Sequence, residues 1–294
     1  MSRDRTRRDA DRIDVRKTYK LYVGGAFPRS ESARSYEVTD ARGGFLANAS
    51  LASRKDGRDA VVAARKAFGS WSTRTPYNRG QVVYRIAEVL ESRRDQLERE
   101  VREATGVNAG GARAEVDQAV DRLVWYAGWA DKLAQVVGNA NPVAGPYFNL
   151  SSPEPTGVVA VMAPASPLLG LVSVVAPVIT TGNTCVVVAS QPHPLPAITL
   201  AEVMATADLP GGVVNVLTGH QGEIAPWLAS HLDVDGLDLT GVDDADLARD
   251  LEVAAADNLK RVRRPGPEDL AADPRLDRMT RFVETKTVWH PVGT

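Results

Sequence analysis

Gly157-Val158-Val159-Ala160-Val161-Met162, Thr184-Cys185-Val186-Val187-Val188-Ala189, Val213-Val214-Asn215-Val216-Leu217 and Gly236-Leu237-Asp238-Leu239-Thr240 are four short runs that decide the fold. The first two are continuously apolar and the others nearly so; none alternates. A strand with one wet face alternates apolar and polar residues, whereas a continuous run belongs to a strand buried on both faces. Residues 167–181, 194–207 and 223–231 separate the runs, 244–259 follows the last, and all four carry helical patterning. The expected fold class is α/β, a parallel sheet with helices on both faces, which places ligands outside the carboxyl ends of its strands.

Towards the N-terminus, residues 19–25 predict a short strand ending at the turn Gly24-Gly25, and 35–38 a second. Residues 56–68, 76–104 with a break near Arg93, and 113–136 then predict a helical part. Trp125, Tyr126 and Trp129 on the last of these read as packing aromatics rather than a ligand cage. Residues 138–155, rich in Asn, Pro, Gly and Ser, form an excursion from the compact body, a hairpin arm with a strand at 147–150. Residues 263–274 are charged and proline-rich, a linker. The run at 282–289 alternates like a strand but has no sequence neighbour, so its partner must come from elsewhere in this chain or from another. Residues 1–16 read as a solvated, disordered tail whose acids dilute any basic partner-binding arm.

With 294 residues, 44% hydrophobic and 24% charged, the composition is that of one large or two modest globular domains. A net charge of −2 supplies no field for nucleic acid or an anionic membrane surface. The apolar stretches, such as 168–181, are too short to span a bilayer, and 1–20 lacks the apolar core of a secretory signal. The single cysteine, Cys185, excludes an intrachain disulfide and suits the cytoplasm.

Four motifs carry a family resemblance. Pro153-Glu154-Pro155-Thr156-Gly157-Val158-Val159, Gly182-Asn183-Thr184-Cys185-Val186-Val187, Leu209-Pro210-Gly211-Gly212-Val213-Val214-Asn215-Val216-Leu217-Thr218-Gly219 and Leu239-Thr240-Gly241 resemble, in the right order, motifs of the aldehyde dehydrogenase cofactor domain. Asn258-Leu259-Lys260-Arg261-Val262 is similar to a further segment. Glu284-Thr285-Lys286-Thr287-Val288-Trp289 resembles the family's oligomerisation strand. The resemblance implies a Rossmann-like NAD(P)-binding domain over 17–137 and 156–262 and a β oligomerisation arm from 138–155 and 280–294. Only 263–279 then stands where the family carries a catalytic domain, which marks a truncated member.

The resemblance also shows what is missing. The family attacks its aldehyde with a cysteine thiolate, but Cys185 lies within a predicted buried strand, where Cys acts as a small hydrophobe. The family's Pro-Trp-Asn-Phe-Pro, which supplies an oxyanion donor, is matched by Ala163-Pro164-Ala165-Ser166-Pro167. Ala165 cannot donate, and such a loss costs about 100-fold or more in rate. The Glu-Leu-Gly-Gly base region is replaced by Arg263-Arg264-Pro265-Gly266-Pro267. The expectation is no catalytic residue in this chain.

Vestigial cofactor-binding residues are Ser166, Ser190, Gln191, Thr240 and Gly241. The family's Lys-Pro-Ser-Glu, which contacts the adenine ribose, is matched by Val188-Ala189-Ser190-Gln191. Its pyrophosphate-binding Gly-Ser-Thr-x-x-Gly becomes Gly241-Val242-Asp243-Asp244-Ala245-Asp246. Three carboxylates in a helix's first turn suit the helix but compete with a phosphate for its N–H groups. One of them about 5 Å from the phosphate costs on the order of 3 kcal/mol at an effective dielectric near 20. NAD(P) binding is expected to be weak or absent. His193, His220, His231 and His290 show no metal-ligand spacing, and no phosphate loop of the Walker type occurs. The expected function is a non-catalytic subunit, a pseudoenzyme, that pairs with a full-length aldehyde dehydrogenase or with itself through 138–155 and 281–291. The alternatives are an NAD(P)-dependent oxidoreductase subunit whose nucleophilic cysteine comes from another chain, and a folded remnant without a partner.

Overall fold

The computed structural model describes residues 17–293; the tail expected over 1–16 lies outside the described residues. In chain order the elements are β1 (Thr18–Tyr19), β2 (Ser35–Thr39), β3 (Phe45–Ser50), α1 (Arg54–Ser72), α2 (Pro76–Ser92), α3 (Arg94–Thr105), α4 (Ala109–Trp129), α5 (Leu133–Val137), β4 (Asn139–Ala140), β5 (Tyr147–Pro155), β6 (Val158–Met162), α6 (Leu169–Thr180), β7 (Thr184–Val188), α7 (Leu195–Ala205), β8 (Val214–Leu217), α8 (Gln221–Ser230), β9 (Gly236–Asp238), α9 (Ala245–Ala255), β10 (Arg261–Arg263), α10 (Asp277–Thr280) and β11 (Val283–Pro291).

The central sheet is parallel, in the order β10-β9-β6-β7-β8. Every residue of β6, β7 and β8 is buried, as their unbroken apolar composition requires. Alternate residues serve opposite cores. Val159, Val161, Cys185 and Val187 pack with α2, α4, α6 and α7; Val158, Ala160, Met162, Val186 and Val188 pack with α1, α8 and α9. Helix α6 is buried at all twelve positions, so it is apolar all round rather than striped.

Local chemistry sets the helix ends. Ser53 and Asp56 close a capping box at α1: Asp56 N–H donates to Ser53 Oγ at 3.3 Å and Ser53 N–H to Asp56 Oδ2 at 2.8 Å. Arg93 adopts φ −108° and ψ 15° and separates α2 from α3 at the expected break. Asn108 caps α4 by accepting from Gly111 N–H at 2.8 Å.

Two smaller sheets flank the core. Near the N-terminus β3 lies between β1 and β2. The arm has the order β11-β5-β4. Here β11 pairs antiparallel with β5 along its whole length, from Val283 opposite Pro155 to Pro291 opposite Tyr147. The strand without a sequence neighbour therefore finds its partner in its own chain, and the need for a second chain to pair it disappears. Residues 263–279 differ from a free linker: Arg263 completes β10, α10 forms, and Met279 and Phe282 are 0% and 1% exposed in the core. This strap runs from the carboxyl end of β10 to the amino end of β9, where a Cβ on Gly236 would stand 2.7 Å from Phe282.

Candidate functional site

Strand order reverses at β6: β7 and β8 lie on one side, β9 and β10 on the other. A ligand crevice belongs at that switch point, outside the carboxyl ends of β6 and β9. The loops there, 163–168 and 239–246, touch. Gly241 N–H donates to Met162 O at 3.0 Å, and a Cβ on Gly241 would stand 2.1 Å from Ala163 O. Only glycine allows this approach. Val242 turns inward, 3% exposed, into the α9 side of the core.

At α9, Asp244 is the N-cap; its Oδ1 accepts from Asp246 N–H at 2.9 Å and Leu247 N–H at 3.2 Å. Two of the free N–H groups that would receive a phosphate are thus filled by the chain itself. Asp243, Asp244 and Asp246 are all exposed, so solvent screens their charge. The full Coulomb penalty expected from the sequence is therefore reduced, and competition for the N–H groups is the stronger effect.

The sequence-predicted residues are brought to the same end of the sheet but not into one constellation. Ser166 is committed to α6: its Oγ donates to Glu115 Oε1 at 3.1 Å and accepts from Gly170 N–H at 2.9 Å. Glu115, which sequence reasoning missed, also accepts from Leu168 and Leu169 N–H at 3.0 and 3.3 Å. Its carboxylate thereby fills the positive end of α6. Ser190 is 6% exposed and its hydroxyl has no partner. Gln191 presents its side chain to solvent, while its carbonyl accepts from Tyr36 OH at 3.3 Å. Thr240 donates its hydroxyl to Asp238, and its N–H donates to Asp238 Oδ1 at 3.0 Å.

Asp238 leads to the strap. It is 1% exposed and pairs with Arg278, itself 4% exposed, at 3.3 Å. Arg278 Nε also donates to Glu268 Oε1 at 3.0 Å, and Arg263 reaches Glu268 at 3.2 Å and Asp277 at 3.1 Å. Burial alone would raise the Glu268 pKa, but the hydrogen bond and charge of Arg278, with Arg263, hold it below the usual carboxylate range. From α4, Arg122 donates to Leu270 O and Ala272 O, both at 2.8 Å, and to Ser173 Oγ at 3.0 Å. The strap is thus tied across the carboxyl ends of β9 and β10. No local sequence signal marks the Asp238–Arg278 pair, since forty positions separate its members. The spacing of Leu276, Met279 and Phe282 was the available sign that the strap packs.

Cys185 lies inside β7, between Val159 of β6 and Val214 of β8, and is 0% exposed. Burial pushes its thiol far above the ordinary range, the opposite of an activated nucleophile. Ala165 is exposed in its loop. His220 precedes α8, His231 accepts from Asp233 N–H at 3.1 Å, and His290 is exposed on β11. His193 is half-buried with its Nδ1 unpartnered, and burial lowers its pKa. Among the described residues no group of His, Cys, Asp and Glu is arranged to hold a metal ion, and no helix is long and apolar enough to cross a membrane.

These residues fit a dinucleotide only at its adenosine end, where the orphaned Ser190 hydroxyl and the exposed Gln191 side chain offer polar groups. At the diphosphate the fit fails, because Asp244 occupies the N–H groups and Val242 faces the core.

The sheet order, the crevice and the flanking helices define a doubly wound α/β domain. Comparison with known proteins places it further. The aldehyde dehydrogenase family model matches residues 27–264. Aldehyde dehydrogenase, cytosolic 1 of Elephantulus edwardii is 32% identical over 90% of this chain and 54% of its own length. The aldehyde dehydrogenase of Davidiella tassiana is 32% identical over 82% of this chain and 49% of its own. Among solved structures, an NAD-dependent aldehyde dehydrogenase from Sinorhizobium meliloti superposes with a TM-score of 0.79 at 28% identity, over 84% of this chain and 50% of that one. The chain belongs to the aldehyde dehydrogenase family, and it spans about half the length of these relatives.

Proposed function

We propose that this chain is a catalytically inactive subunit that associates with a full-length aldehyde dehydrogenase in the cytoplasm. The observation that carries this is the arm. Eight of the nine residues of β11 are exposed and its outer edge pairs with nothing among the described residues. Directly opposed residues share a face, so Phe148, Leu150 and Val288, at 53%, 42% and 51% exposure, form one apolar surface. An unpaired edge beside an apolar face favours addition of another strand or sheet. A second copy of this chain is the other partner such a surface accepts.

The catalytic half of the proposal rests on the buried Cys185, the loop at Ala165 and the strap that stands between β10 and β11. NAD(P) is expected to bind at millimolar affinity or weaker, for the reasons given at α9. Co-expression with a full-length family member from the same source, purified on a tag carried by this chain, tests the association. The two chains should co-purify, and Val288→Asp should abolish this while leaving Tm unchanged. A stable lone monomer would remove the proposal. The competing oxidoreductase subunit, with its nucleophile supplied by another chain, requires NAD or NADP to titrate at micromolar Kd.

A further inference from the structure

A cavity of about 330 Å³ lies between the strap and α4, lined by residues that include Arg122, Tyr126, Arg263, Arg275, Asp273 and Arg278. Its charges are unevenly matched. Arg278 and Arg263 are neutralised by Asp238, Glu268 and Asp277, and Arg264 by Glu252. Arg122 differs. It is 6% exposed, and its contacts are two carbonyls and a serine hydroxyl, with no carboxylate in ion-pair range among the described residues. A buried guanidinium that no carboxylate touches is costly; burial lowers its pKa, and the more distant charges of Glu268 and Asp273 offset this only in part. Tyr126 is 0% exposed and its hydroxyl has no hydrogen-bond partner; burial pushes its pKa up to about 12, so it remains a donor. At the rim, the exposed Arg275 guanidinium is unpaired among the described residues.

We infer that this cavity is a binding site for a small monocarboxylate, held by Arg122 and Tyr126 beneath it and by Arg275 at its rim. A carboxylate supplies a direct counter-charge to Arg122 through an N–H that the carbonyls and Ser173 leave free, and an acceptor for the Tyr126 hydroxyl. Asp269 and Asp273, both exposed on the strap, disfavour a more highly charged anion such as phosphate. The site lies under the strap, with Thr240 of the 239–246 loop in its lining, and does not depend on the arm.

Calorimetric titration of the full chain with sodium propionate, against sodium chloride at equal ionic strength and against inorganic phosphate, tests the inference. Propionate should give saturable heat with Kd on the order of 1 mM. Tyr126→Phe should weaken it about ten-fold, and Arg275→Glu, an exposed change that leaves the strap's ion pairs intact, by at least about three-fold. Absence of saturable heat with propionate, equal binding of chloride, or preference for phosphate would overturn it. So would unchanged propionate affinity in Arg275→Glu, the decisive variant should Tyr126→Phe not fold.

Discussion

The parallel sheet and the arm both carry β-branched valines and treat them oppositely. In the parallel sheet Val187 is 0% exposed, enclosed by helices on both faces; in the arm Val288 is 51% exposed beside Phe148 and Leu150. Both positions are β-branched, and both strands are fully paired on at least one side. The difference lies in what covers them. The parallel sheet satisfies its apolar faces within the chain, whereas the arm satisfies its backbone along one edge and leaves a face and the other edge open. Stability therefore resides in the first sheet, and the capacity to associate in the second.

The strap joins the two, so the largest effect is expected there. Arg278→Ala should strand the buried Asp238 carboxylate and cost about 3–5 kcal/mol in urea unfolding, since breaking a buried pair leaves an uncompensated charge. A loss below about 1 kcal/mol would show that the strap is not fixed across the strand ends. Next, the same truncation applied to both sheets sharpens the contrast. Val187→Ala should cost about 2 kcal/mol through lost burial and an unfilled cavity, while Val288→Ala should stay within about 0.5 kcal/mol. Equal costs in the isolated chain would mean that the arm face is already covered.

The smallest effect concerns pH. Glu100 is 7% exposed, accepts from Gln96 and Thr199, both at 2.9 Å, and leaves Oε2 without a partner. Burial raises its pKa. The folded chain therefore holds this proton more tightly than the unfolded chain, and Glu100 contributes less stability as pH rises through the ordinary carboxylate range, about 4.3, towards the raised value. Glu100→Gln should raise Tm by about 2 °C at pH 7.5, with the gain vanishing near pH 4. A gain independent of pH would assign the effect to packing instead.

Much of the parallel sheet was legible because its strands are short apolar runs bounded by glycine and polar turns, a pattern few other arrangements satisfy. The motifs carried the family. Elements set by distant partners were not legible. Phe45-Leu46-Ala47-Asn48-Ala49-Ser50 has no β-branched residue, and becomes β3 because β1 and β2 pair with it on either side. The expected strand at 147–150 extends to Pro155 because β11 supplies the ladder; β4 reaches only Leu150 and Ser151, which leaves an open edge where Pro153 and Pro155 are tolerated. At the candidate site, the carboxylates at the start of α9 were visible in the sequence. The turning of Val242 into the core, the capture of Ser166 by Glu115 and the anchoring of the strap by Arg278 each depend on three-dimensional neighbours.

Native mass spectrometry of this 31.6 kDa chain, alone and mixed with a full-length aldehyde dehydrogenase from the same source, bears most directly on the role assigned to the arm. The account predicts a mixed assembly whose mass includes both chains and which dissociates when Val288→Asp is introduced. A monomer that persists at every mixing ratio would contradict it.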